Sequence, residues 1–198
     1  MFLHRQPSEE VVRQFIASQQ DLTFSYAQLG ATGSQPGNVH GGYTIDHNRI
    51  KLGQGQETYE RAMSVLRSWQ QFNLGWVTVV PPGEPLEVGT AVAVLAKVFG
   101  CWSLNAARIV YVIDEGQAQR MRFGFAYGTL PDHVERGEES FTVEWRADDS
   151  VWYDIYAFSR PKHPLARIGF PITRMLQKRF VRDSLAIMKA ASTRLAAD

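Results

Sequence analysis

Residues 102–158 read WSLNAARIVYVIDEGQAQRMRFGFAYGTLPDHVERGEESFTVEWRADDSVWYDIYAF, and this stretch decides the fold. It holds four runs, 102–113, 120–130, 138–146 and 151–158, in which Val, Ile, Phe, Tyr and Trp recur with a period near two. That period sends alternate side chains to opposite faces of an extended chain, so each run is expected to be a strand. Asp114-Glu115-Gly116 and Asp148-Asp149-Ser150 are short links of turn residues, which join antiparallel neighbours. Upstream, residues 76–80 and 88–99 have the same character, separated by Pro81-Pro82-Gly83. Residues 43–52 add another strand, with a break of parity near Asp46-His47-Asn48 that predicts a bulge. The expectation is an antiparallel sheet of about seven strands.

Helical patterns bracket these strands. Pro7-Ser8-Glu9-Glu10 offers a hydroxyl cap followed by two acids where a helix start favours negative charge. Val11, Val12, Phe15 and Ile16 then define one apolar face, to about Gln20. From Gln56 to about Gln70 the residues Tyr59, Ala62, Met63, Leu66 and Trp69 make a second stripe. Gly53-Gln54-Gly55 before it reads as a strand-to-helix turn; a phosphate loop would need more glycines and a lysine. Between Gly30 and Gly42, five glycines with Pro36 and Asn38 predict a long irregular loop. Beyond Pro161, Pro164 and Pro171 a long helix is expected from Pro171 toward Arg194. It places Ile172, Leu176, Phe180, Ile187 and Ala191 on one face and Lys178, Arg182 and Lys189 opposite. Such a stripe must cover something, and the sheet is the large apolar surface available. The reading is one α+β domain over residues 1–198, with residues 1–37 forming an N-terminal helix and irregular loop packed on it.

The order strand, helices, six antiparallel strands and terminal helix resembles the helix-grip fold of the START-domain and birch-pollen-allergen lipid binders. More specifically, the chain resembles the family labelled domain of unknown function 1990. The residues that carry this likeness are Leu52-Gly53, Gly55, Asn73-Leu74-Gly75-Trp76, the run from Phe123 through Tyr127-Gly128-Thr129-Leu130 to His133, Gly137-Glu138-Glu139-Ser140-Phe141, and Phe158-Ser159-Arg160-Pro161. The likeness covers about residues 10 to 195, and implies a bent sheet wrapped around the C-terminal helix. That family carries no established reaction, so it assigns no catalytic residue.

Composition narrows the function. The chain has 198 residues, 11 Phe, 7 Tyr and 5 Trp, which demand burial and exclude a disordered chain. Net charge is +1, so there is no global field for nucleic acid, and the basic residues are not interleaved with stacking aromatics. Residues 160–198 nonetheless hold nine Lys or Arg against two acids, and residues 132–154 hold eight acids against two Arg. This asymmetry fits a basic helix face beside an acidic sheet rim, or peripheral contact of that helix with an anionic membrane. The one cysteine, Cys101, sits in an apolar run and is expected to be buried and inert. No signal-peptide core opens the chain and no apolar run approaches the ~18 residues of a membrane span, so a cytoplasmic protein is expected.

A bent sheet gripped by a straight helix leaves a gap unless bulky side chains fill it. The expected occupant is a small apolar or amphipathic ligand, held by Phe125, Tyr127, Trp145, Tyr153 and Arg108, with Arg108 pairing an acidic head group. The competing reading is a filled core. A second function on the same scaffold is an enzyme of cyclase, dehydratase or hydrolase type, with His133 and Glu138 approaching across a turn as acid and base. His40, His47, His133 and Asp46 follow no metal-ligand spacing, and neither metal nor cofactor is expected.

Overall fold

Alternation along the strands gives each a core-facing and an outward side, and the chain uses both. The computed structural model describes residues 1–33, 41–117, 120–162 and 169–193. The elements are β1 (Phe2–Leu3), α1 (Glu9–Gln19), β2 (Thr44–Gln54), α2 (Gln56–Arg67), a 3-10 turn (Gln70–Phe72), β3 (Val77–Val80), β4 (Ala91–Val98), β5 (Cys101–Gln117), β6 (Arg120–Thr129), β7 (Glu135–Trp145), β8 (Ser150–Pro161) and α3 (Phe170–Thr193). Among the described residues they form one sheet in the order β2-β8-β7-β6-β5-β4-β3, antiparallel throughout. The short β1 pairs with β5 at Ser103 and Trp102, where β6 has already left; β6 joins β5 only from Ala107.

The inner face carries the larger core. Phe123, Phe125, Phe141, Val143, Val151, Tyr153 and Ile155 of the sheet pack with Tyr59, Leu66, Trp69 and Phe72 from α2 and the turn after it, and with Met188 of α3. The outer face carries a smaller core, in which Val12 and Phe15 of α1 cover Ala93, Leu95, Leu104 and Ala106. Ser8 caps α1 as expected, its hydroxyl accepting from the Val11 amide at 3.4 Å. This is a helix-grip α+β fold.

The structure differs from the sequence reading in instructive places. Asp114, Glu115 and Gly116 are not a turn: they continue β5, paired with Phe123, Arg122 and Met121. In β2 the register runs unbroken through Asp46-His47-Asn48, and the irregularity falls between Lys51 and Gly53, where the strand prepares to enter α2. Val11 is exposed, and α1 buries Val12, Phe15 and Gln19 instead. Cys101 is exposed, because Phe99 and Gly100 adopt positive φ in a two-residue turn and Cys101 opens the next strand at the hairpin tip. The largest correction concerns α3. Its buried residues are Ser184, Met188 and Ser192, whereas Ile172 and Met175 are exposed. Small serines let the C-terminal half approach the sheet and α2 closely, and Tyr153 Oη lies 3.1 Å from Ser184 Oγ. Lys189 is not free in solvent: its Nζ donates to the Lys51 and Leu52 carbonyls at 2.9 and 2.7 Å.

Candidate functional site: an inner cavity with an acidic end

Where the C-terminal half of α3 is packed, the N-terminal half stands over open space. A cavity of about 900 Å³ lies between it and the sheet. Its walls are mainly apolar, including Phe72, Val94, Ile155, Phe180 and Val181. Rings of the inner core crowd the other end of the sheet, so the hollow is confined to the end where β6 finishes and β7 begins.

That end is polar because the inward positions of the strands become polar there. Asp46 and Asn48 on β2, Tyr127 on β6, Glu135 and Glu139 on β7 and Ser159 on β8 all line it. Two side chains of α3 reach down to them. Arg174 grips Asp46 with both guanidinium nitrogens, at 2.6 and 2.7 Å. Gln177 Nε2 lies 2.6 and 2.8 Å from the Glu135 oxygens and 3.0 Å from Ser159 Oγ. Glu139 sits opposite Tyr127 in the β6–β7 ladder and accepts the Tyr127 hydroxyl at 2.6 Å. Among the described residues that bond engages one of its two oxygens, and Glu139 itself lines the hollow.

Burial shapes the protonation of this end. It pushes the Glu139 carboxyl up to about 7, against the hydrogen bond from Tyr127, with Glu135 and Asp46 adding repulsion. The Glu135 carboxyl is also raised by burial, opposed by Gln177, Ser159 and Arg174. Burial and the adjacent Glu139 raise the Tyr127 hydroxyl well above its ordinary value. Near neutral pH, Glu139 therefore exchanges between a carboxylic acid and a carboxylate inside a largely apolar chamber.

Of the five ligand-contact residues expected from sequence, Tyr127 lines this cavity. Phe125 and Tyr153 are on the inner face but are consumed by packing, Phe125 against Trp69 at 4.7 Å and Tyr153 beneath Ser184. Trp145 lies at the far end of the sheet, its indole donating to Asp149 at 2.9 Å. Arg108 projects from the outer face, bonded to the Gln20 carbonyl and stacked 4.4 Å over Phe24. It therefore does not point toward an acidic head group in the cavity. The reason is parity: Ala107 and Ile109 belong to the inner core, so Arg108 between them must face out.

The expected acid–base pair is not assembled. His133 borders the cavity, but its Nδ1 accepts from the Glu135 amide at 3.0 Å, and burial pushes its pKa down to about 3. Glu138 turns its carboxylate to the outer face. There it accepts from the Tyr26 hydroxyl at 2.6 Å, the Gly30 amide at 2.8 Å and the Thr32 amide at 2.9 Å. Asp46 and His47 likewise leave β2 on opposite faces, His47 meeting Asp154 at 2.8 Å, while His40 lies outside the described residues. Sequence reasoning missed Glu139, although counting back by twos from the buried Phe141 reaches it rather than Glu138. Glu135, Arg174 and Gln177 were also missed; their meeting depends on where α3 lies, which no local pattern encodes.

The fold and the cavity define an α+β helix-grip protein with an interior chamber. The pattern of the family described as Domain of unknown function (DUF1990) matches residues 25–187, and the chain belongs to that family. It is 36% identical over 199 residues to a UPF0548 protein of Dictyostelium discoideum, covering 93% of this chain and 92% of that one. Among solved structures it is similar to a hypothetical protein from Helicobacter pylori, with a TM-score of 0.50, 14% identity, and coverage of 79% of this chain and 90% of the other. A START superfamily protein from Mycobacterium smegmatis gives a TM-score of 0.47 at 12% identity, covering 75% of this chain and 96% of the other.

Proposed function

We propose that this protein binds a small apolar or amphipathic ligand in the cavity between α3 and the sheet. The observation that carries the reading is the cavity itself: about 900 Å³ of interior space with apolar walls and a few convergent polar groups at one end. Stable domains rarely retain that much unfilled volume, since lining side chains forgo contacts they would otherwise make. Native mass spectrometry of protein purified from cells should show an added mass that organic extraction removes. Ala157, on the cavity wall opposite Glu139 in the β7–β8 ladder, gives the matching variant. Ala157→Phe should lose the added mass while keeping cooperative thermal unfolding. A parent protein that neither carries nor takes up any apolar compound overturns the proposal.

A second reading, peripheral membrane contact, is favoured by the cavity mouth. Phe99 (76% exposed), Met175 (52%) and Ile172 (47%) project from the β4–β5 hairpin tip and the first turns of α3. Lys97, Lys178, Arg179 and Arg182 lie around the same groove. Apolar side chains ringed by cations suit an anionic bilayer surface, from which a ligand of this kind would be collected. Among the described residues no helix is long and apolar enough to cross a membrane.

A further inference from the structure

We infer that the ligand carries a protonated amine, which ion-pairs with Glu139 at the deep polar end of the cavity. This rests on the proposed binding role and names the chemistry of its ligand. Among the described residues, charged and polar groups face Glu139 from four elements. From β6 comes the Tyr127 hydroxyl, a donor that already occupies one Glu139 oxygen. From β7 comes Glu135, a second acid, and from β2 comes Asp46, a third. From α3 comes Arg174, both of whose terminal nitrogens hold Asp46, and farther along the helix Lys178 and Arg182 also line the cavity. Tyr153 of β8 is also near: burial raises its hydroxyl pKa, and the Glu139 charge adds to that.

Among the described residues the balance at that end is therefore acidic, and Glu139 lines the hollow with the Tyr127 hydroxyl on only one of its two oxygens. An anionic head group at this end would meet Glu135 and Glu139 beside an Arg174 already paired with Asp46, while Lys178 and Arg182 stand exposed at the mouth, so like charges would be buried together. A neutral hydroxyl would satisfy the oxygen but leave the charge uncompensated. An ammonium does both, and its hydrogen bonds to a carboxylate are the charge-assisted kind, roughly twice as strong as neutral ones. Because burial holds the Glu139 carboxyl near neutrality, binding of such a cation would draw it into the ionised form and release a proton below pH 7.

The test uses three aromatic probes of one size: 1-naphthylmethylamine, 1-naphthylmethanol and 1-naphthoic acid. Calorimetric titration of the full chain at pH 7.5 should rank them amine, alcohol, acid, the amine about tenfold tighter than the alcohol. Glu139→Gln should remove the amine's advantage while leaving alcohol binding within about twofold, which also shows that the variant is folded. At pH 6, amine titrations in buffers of differing ionisation enthalpy should reveal proton release by the parent and none by the variant. Tight binding of the acid, or an amine preference that survives Glu139→Gln, overturns the amine assignment while leaving the cavity role intact. Binding of none of the three overturns the cavity role, and the amine assignment with it.

Discussion

Tyr127 and Glu139 face each other across β6 and β7, and one step along the same ladder Gly128 faces Glu138. Adjacent residues of one strand thus do unrelated work on opposite faces. Glu139 has an energetic signature that can be read without a ligand. Its carboxyl titrates near 7 in the folded chain, where burial is the main cause, and in the ordinary carboxylate range once unfolded. Between those two values the native state holds a proton that the unfolded state has lost, so this residue makes stability fall as pH rises. Glu139→Gln, which keeps the shape and removes the charge, should gain on the order of 2 kcal/mol over the parent at pH 8 and little at pH 4.5. Urea denaturation at the two pH values checks this, and an equal effect at both would place Glu139 in a solvated setting.

At the level of elements, the segment after α1 is tied to the outer face of β6 and β7 by the Ser25–Thr129 hydrogen bonds, by Arg108, and above all by one carboxylate that gathers several of its donors. Glu138 collects the Tyr26 hydroxyl and the Gly30 and Thr32 amides, and Thr32 adds its own hydroxyl. Tyr26 can reach it only because position 128 lacks a side chain: a Cβ there would stand 2.2 Å from the Tyr26 oxygen. Gly128→Ala and Glu138→Ala should therefore each cost about 2–4 kcal/mol and expose residues 20–33 to protease. Their double variant should lose clearly less than the two losses combined, since both break one attachment. Strict additivity would refute a shared clamp. The strands were legible because they alternate, α1 because its Ser8 cap is local, and α2 because its apolar stripe is. What a local pattern could not convey was the lie of α3: Ile172 and Leu176 look like core on a helical wheel, yet Ser184, Met188 and Ser192 are what the helix buries. The acid–base reading of His133 and Glu138 failed for a simpler reason, since five residues along a strand and turn do not ensure a common face.

For the molecule as a whole, charge and exposed apolar surface converge on one region. Several acids of the sheet are taken up locally: Asp46, Glu135 and Glu139 line the cavity, and on the outer face Arg49, Arg120 and Arg146 surround Glu144. Lys178, Arg179 and Arg182 of α3, by contrast, lie at the cavity mouth. Co-sedimentation with vesicles should accordingly rise with phosphatidylserine content and fall with salt, and Phe99→Ser combined with Lys178→Glu should weaken it about tenfold. Binding indifferent to lipid charge and to salt would dismiss the membrane reading. Finally, the sheet has no idle side, since its inner surface is core and chamber and its outer surface is clamp, ion network and the seat of α1. A single extra residue within β7 would send Glu139 outward and bring Glu138 in, undoing binding and attachment together. Drift in this block is thus free to change letters but not spacing, and insertions should be borne only where the chain leaves the strands.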